Sequence, residues 1–157
     1  MATYGAGWRV IGGVRKFYRS RWEANYARFL QWQRERGDVA SWAHEPETFW
    51  FAGVKRGVLS YLPDFRVHYP DGRVEYHEVK GWMTPRSKTA LRRMAKHHPS
   101  ITMRVVAADA YARIETGLGC VIQGWEHSGK PGVHTLSTPP RDKRWTALLA
   151  RMRPRRA

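Results

Sequence analysis

Acidic residues are scarce in this chain of 157 residues: 13 Asp and Glu stand against 28 Lys and Arg, a formal net charge of +15. A chain so unbalanced repels itself and calls for a polyanionic partner. Cysteine is nearly absent. Cys120 alone excludes an intrachain disulfide and any cysteine-rich zinc site. No apolar run approaches the roughly 20 residues that span a bilayer, and the first residues lack the apolar core of a secretory signal. The expectation is a soluble protein of a reducing cytoplasm with no membrane attachment. Repeats and low-complexity segments are missing too, which leaves one domain with enough chain to bury a core.

Aromatic residues are plentiful: 8 Trp and 7 Tyr set the chain apart from a disordered basic tail. Residues 1–19 are Gly-rich and basic, and read as a poorly ordered arm or as a strand that docks only on a partner. Ser20-Arg21-Trp22-Glu23 fits a capping box, a serine N-cap with glutamate at N3. Trp22, Tyr26, Phe29 and Leu30 follow at helical spacing, and Gly37 ends the helix. Glu23 lies in line with Ala27 and Leu30, so it borders the apolar face. Val39 to Phe51 reads as two short strands around Glu45-Pro46-Glu47, or as one strand interrupted by Pro46. Thr84 and Pro85 start a second helix, which Pro99 stops. Ile101 to Val106 reads as a buried strand. The order predicts an α/β domain with a central mixed sheet flanked by helices, its core spanning 20–110. Residues 111–157 form an extension expected to pack on the same domain. Its expected parts are a short helix at Tyr111 to Glu115, a strand at Cys120 to Gln123, a loop over Gly124 to Pro140, an amphipathic helix from Trp145 to Met152 and a basic tail.

The chemistry concentrates in Ser60 to Gly81. Tyr69-Pro70-Asp71-Gly72-Arg73 is the turn: Pro70 presets φ at the first corner, Asp71 suits the second, and Gly72 accepts a positive φ. This is a three-residue hairpin loop with a glycine bulge, which pairs Tyr69 with Arg73. Facing residues then include His68 with Val74, Arg66 with Tyr76, and Asp64 with Glu78. Asp64 and Glu78 share one face about 5 Å apart at Cβ, and Lys80 is on that face too. A two-residue Asp71-Gly72 turn would put Glu78 on the other face.

Two carboxylates this close repel unless something positive lies between them. Mg²⁺ answers that repulsion, with Mn²⁺ able to substitute: such cations take carboxylate oxygens, keep waters and bridge to phosphates. Asp64, Glu78 and the backbone carbonyl of Val79 are the expected ligands, with Glu23 as an optional further one. Lys80 would orient water or neutralise charge. The alternative is an ordinary ion-pair cluster on a surface hairpin, with Glu23 serving only as a helix cap. Lys88, Arg92 and Lys96 stack at i, i+4 and i+8 on the second helix. With Lys55 and Arg56 in the basic turn, they are the expected DNA phosphate contacts, against the plain reading of a solvated face.

Pro63-Asp64 followed by Glu78-Val79-Lys80, behind a helix that carries Glu23, resembles the PD-(D/E)xK nuclease superfamily. The order of elements from Ser20 to Val106 is most similar to small phage and archaeal Holliday-junction resolvases of the endonuclease I type. It is also similar to the end-cleaving endonuclease subunit of some transposon systems. The resemblance implies a restriction-endonuclease-like fold and a Mg²⁺-dependent endodeoxyribonuclease. Asp64 and Glu78 would hold metal, Lys80 would be the catalytic lysine, and Glu23 the helix carboxylate. It further implies a homodimer acting on branched or duplex DNA, in the host cytoplasm if the chain is phage-encoded. A transposon-end or other DNA endonuclease, or a non-catalytic basic DNA-binding protein, are the alternatives.

Overall fold

A computed structural model describes residues 5–127. Eleven elements follow in order: β1 (Gly7–Ile11), β2 (Val14–Tyr18), α1 (Arg21–Glu35), β3 (Ser41–His44), β4 (Phe49–Trp50), β5 (Ser60–Tyr61), β6 (Phe65–His68), β7 (Val74–Lys80), α2 (Pro85–His97), β8 (Met103–Ala107) and α3 (Ala108–Leu118). Four strands form a mixed sheet in the order β3-β6-β7-β8. The first two pairings are antiparallel and β7–β8 is parallel, with α2 as the crossover such a pair requires. The fold is therefore α/β with a mixed sheet flanked by helices, as expected.

The hairpin register is the one that the turn chemistry dictates. Tyr69 N–H donates to the Arg73 carbonyl at 2.9 Å, Gly72 N–H to that of Tyr69 at 3.0 Å, and Gly72 has φ +86°. Arg66 faces Tyr76 and His68 faces Val74. Alternation then sorts β7 between two layers. His77 and Val79 face α1, where Ala24, Ala27, Phe29, Leu30, Phe65 and Val67 are buried. Truncating a side chain as enclosed as Phe65 would cost about 3–5 kcal/mol. Tyr76, Glu78 and Lys80 face the other way, toward β5 and α2. There Phe51, Val58, Ala90 and Met94 make a second, smaller core.

Both capped helices begin where the sequence indicates. Ser20 Oγ accepts from Glu23 N–H at 3.1 Å, and Thr84 Oγ1 from Ser87 N–H at 3.1 Å. On α2 the apolar seam is Ala90 and Met94 with Leu91 half-buried, and Ala95 is exposed, one position off the expected stripe. Of the expected N-terminal arm, Gly7–Tyr18 forms a hairpin. Gly12 and Gly13, both at positive φ, close a tight two-residue turn that pairs Ile11 with Val14. Ile11 and Tyr18 from this hairpin are buried with the α1 core.

Beyond the sheet, α3 runs the full length Ala108–Leu118 rather than five residues. Cys120 to Gln123 is a turn instead of a strand: the Val121 and Ile122 amides both bond to the Leu118 carbonyl at 2.9 Å. The segment packs on α1. Trp22 stacks on Tyr111 at 4.1 Å, and buried Asn25 donates to Tyr111 Oη and to the Glu126 carbonyl, both at 2.8 Å. The expected helix from Trp145 to Met152 and the basic tail lie outside the described residues. No helix among the described residues is long and apolar enough to cross a membrane.

Candidate active site

The strand pairing brings Asp64, Glu78 and Lys80 together at the end of the sheet. Asp64 precedes β6, and its Oδ2 accepts the Val79 N–H at 2.8 Å across the hairpin. This bond fixes the carboxylate beside the strand that carries Glu78. The Glu78 side chain is bound at both oxygens, by Lys80 Nζ at 2.7 Å on Oε1 and by the Tyr61 hydroxyl on Oε2. Both carboxylates are removed from water, Asp64 at 8% exposure and Glu78 at 3%. They border a cleft of about 330 Å³ whose wall also carries Lys80, Tyr61, Arg19 and Arg86.

Electrostatics mark Asp64 as the strained member. Burial, then the charges of Glu78 and Glu23, push its carboxyl up from 3.8 to about 8, against the opposing pull of the Val79 amide and Lys80. Burial works to lower the Lys80 ammonium, but the Glu78 hydrogen bond with the charges of Glu78, Asp64 and Glu23 outweighs it and holds the group above its ordinary value. The Tyr61 hydroxyl is pushed well above its ordinary range, first by burial and then by Glu78. It is a donor at any ordinary pH. At Asp64, burial and the neighbouring carboxylates together outweigh what the Val79 amide and Lys80 supply.

Oxygen donors of this kind suit a small hard cation. Asp64 and Glu78 contribute carboxylates, and strand alternation turns the Val79 carbonyl to the same edge as its N–H. A pair of carboxylates with a carbonyl fits Mg²⁺ or Mn²⁺, which fill their remaining positions with water and substrate oxygens. Neither thiolate nor imidazole is in the set, so it does not fit zinc. Among the described residues no group of three or more His, Cys, Asp or Glu side chains gathers to hold a metal.

Glu23 is close enough to act on Asp64 through its charge, but its contacts belong to the helix start. It accepts from the Arg19 amide at 3.2 Å, approaches Ser20 Oγ at 3.5 Å, and has His44 Nε2 at 3.5 Å. Lys88, Arg92 and Lys96 form an exposed row on α2, and Lys55 and Arg56 an exposed turn. Tyr61, Arg19 and Arg86 are site residues that no pattern in the sequence singles out. Tyr61 is adjacent in sequence to Leu62-Pro63-Asp64, yet only the β4–β5 pairing (Phe49 with Tyr61) sets its position. Comparison with protein-family models, with characterised proteins and with solved structures finds no match to this chain.

Proposed function

We propose that the protein is a Mg²⁺-dependent endodeoxyribonuclease of the PD-(D/E)xK class with a restriction-endonuclease-like core, resolving four-way DNA junctions by paired nicks. One observation carries this reading: two buried, facing carboxylates, incompletely neutralised, open onto a cleft lined by lysine and arginine in a chain of net charge +15. Asp64, Glu78 and the Val79 carbonyl would hold the cation, with Mn²⁺ able to substitute. When bound, such a cation supplies Lewis-acid charge to a phosphodiester and lowers the pKa of water.

The chain's own groups do the rest. Lys80, kept protonated beside Glu78, presents an ammonium where charge develops on the phosphate. Tyr61 fixes the Glu78 carboxylate from the opposite side, so the pair keeps its geometry as substrate enters. Arg19 and Arg86 on the cleft wall hold phosphate oxygens. Lys88, Arg92 and Lys96, with Lys55 and Arg56, take backbone contacts further out. Two symmetric nicks call for two copies of the site, and hence a homodimer with twofold symmetry. Its place of action would be the cytoplasm, where DNA is reached directly.

Incubation with Mg²⁺ and a synthetic four-way junction, a matched duplex and a flap tests the reading. Paired nicks on the junction are the expected outcome, leaving 5′-phosphate and 3′-hydroxyl ends. Asp64→Asn and Lys80→Ala should each abolish cutting while junction binding survives. Preferential cutting of duplex or flap would move the protein to another endonuclease of the class. If every substrate stays intact with Mg²⁺ and Mn²⁺, the protein is a DNA-binding protein whose hairpin charges are structural.

A further inference from the structure

The β1–β2 hairpin has one face committed to the core and one that no described residue covers. Ile11 and Tyr18 turn inward and are buried, while Trp8, Val10, Arg15 and Phe17 turn outward. Trp8 pairs with Phe17 and Val10 with Arg15 across the ladder. Trp8 is 60% exposed, Val10 67% and Phe17 46%. Leaving such side chains contiguous in water is unfavourable, and soluble proteins keep such patches for partners. The two rings meet edge to face at 5.8 Å, and the Arg15 guanidinium lies over Trp8 at 4.6 Å.

Charge selects the partner. The charge on this face is Arg15, with no Asp or Glu in either strand, whereas Arg9 and Arg19 are paired with Glu126 and Glu45 away from it. A twofold contact between two copies would set this patch against itself, cation against cation. A polyanion with flat, stackable groups meets both features, and single-stranded DNA is that polymer: bases stack on aromatic side chains while guanidinium groups track the phosphates. The Trp8–Phe17 pair also lies at the correct end of the hairpin. Phe17 is two residues before Arg19, which lines the acidic cleft.

We infer that the outer face of this hairpin is a stacking platform for unpaired bases, holding a single strand on Trp8 and Phe17 with Arg15 on its backbone. This deepens the endonuclease reading, on which it rests for the identity of the polymer. Flaps, gaps and opened branch points offer unpaired bases that plain duplex does not, so the platform would supply preference for DNA with single-stranded character without reading sequence.

Fluorescence anisotropy in EDTA, with no cutting, is the test. Its probes are a labelled thymidine oligonucleotide and an abasic one of equal length. The thymidine strand should bind about tenfold tighter than the abasic one. Trp8→Ala or Phe17→Ala should erase most of that difference, and Trp8→Phe should restore much of it. Arg15→Ala should weaken both probes alike and flatten the salt dependence. Equal affinity for the two probes, or wild-type thymidine binding by correctly folded Trp8→Ala and Phe17→Ala, overturns the inference. So does a dimer that dissociates in Trp8→Ala with thymidine affinity unchanged, which would make the face a self-association surface. The two readings fail separately. Trp8-dependent binding with no cutting of any substrate sinks the endonuclease and leaves the platform standing. Junction cutting with base-independent binding does the reverse.

Discussion

Strand β7 carries two buried carboxylates, Glu75 and Glu78, three residues apart and on opposite faces, and their surroundings could hardly differ more. Beneath α1, Glu75 is fully served. His77 Nε2–H donates to it at 3.0 Å, Arg104 Nε at 3.1 Å and the Tyr69 hydroxyl at 3.1 Å. His77 in turn accepts the Tyr26 hydroxyl at Nδ1, 2.8 Å away. The His77 bond first, then the Arg104 charge, hold Glu75 down to about 2, and burial keeps the His77 imidazole below its ordinary value. On the face toward β5, Glu78 confronts a second carboxylate, and Asp64 is pushed up instead of down. A buried charge with all its partners is architecture. A buried pair of like charges with a single ammonium between them is the arrangement expected where a ligand completes the set.

That contrast is open to three direct tests. The largest effect should come from Glu75→Gln, which leaves Arg104 and the His77 N–H without their anion. Urea unfolding should show a loss of about 1–3 kcal/mol, with junction binding intact in the folded fraction. A loss under half a kcal/mol would mean that the two faces are alike.

Next comes pH. The Asp64 carboxyl is protonated in both folded and unfolded chains below its ordinary 3.8, and is driven up to about 8 in the folded one. Between those values the unfolded chain ionises first, so stability falls as pH rises through this window. Glu75 runs the opposite way: its contribution is present above 4.5 and is lost as pH falls through about 2. Metal-free melting temperatures of wild type and Asp64→Asn should therefore agree near pH 4, with the variant several degrees higher above pH 8. Adding Mg²⁺ at pH 8 should raise the wild type and leave the variant unmoved. Parallel curves at every pH would remove the case for an unneutralised pair.

The smallest effect belongs to the helix start. Glu23→Gln should cost about 1 kcal/mol or less, the scale of a cap contact, and should reduce cutting far less than Asp64→Asn. A loss of activity equal to that of Asp64→Asn would make Glu23 part of the site itself.

The two faces also differed in how legible they were in the sequence. Asp64, Glu78 and Lys80 could be placed on one face because Pro70-Asp71-Gly72 is local chemistry that sets a register, and a register sets every facing pair. The helix starts at Ser20 and Thr84 were legible for the same reason. Nothing local announced the Glu75 network, which gathers Tyr26 from α1, Tyr69 from the turn and Arg104 from β8. Tyr61 was obscured likewise, since its reach to Glu78 depends on a two-residue pairing with β4. The β1–β2 hairpin has a strong local signal in Gly12-Gly13 between β-branched and aromatic residues, masked by the Gly-rich, basic composition of the segment. For α3, Gly117 near its end and Ala107 at an N-cap position with no side-chain bond blurred both boundaries.

Lys80 has a role in time as well as in space. Its ammonium is a counterion the chain carries for itself, tethered two residues from Glu78 and already seated on one oxygen. Before any cation arrives, the mouth of the cleft is thus not a bare anionic hole. With Arg19 and Arg86 on its wall, it does not turn a polyanion away. On the endonuclease reading proposed above, the strand and the cation could arrive in either order, so docking and cutting would be separable events, and the supply of cation would decide when a bound strand is broken.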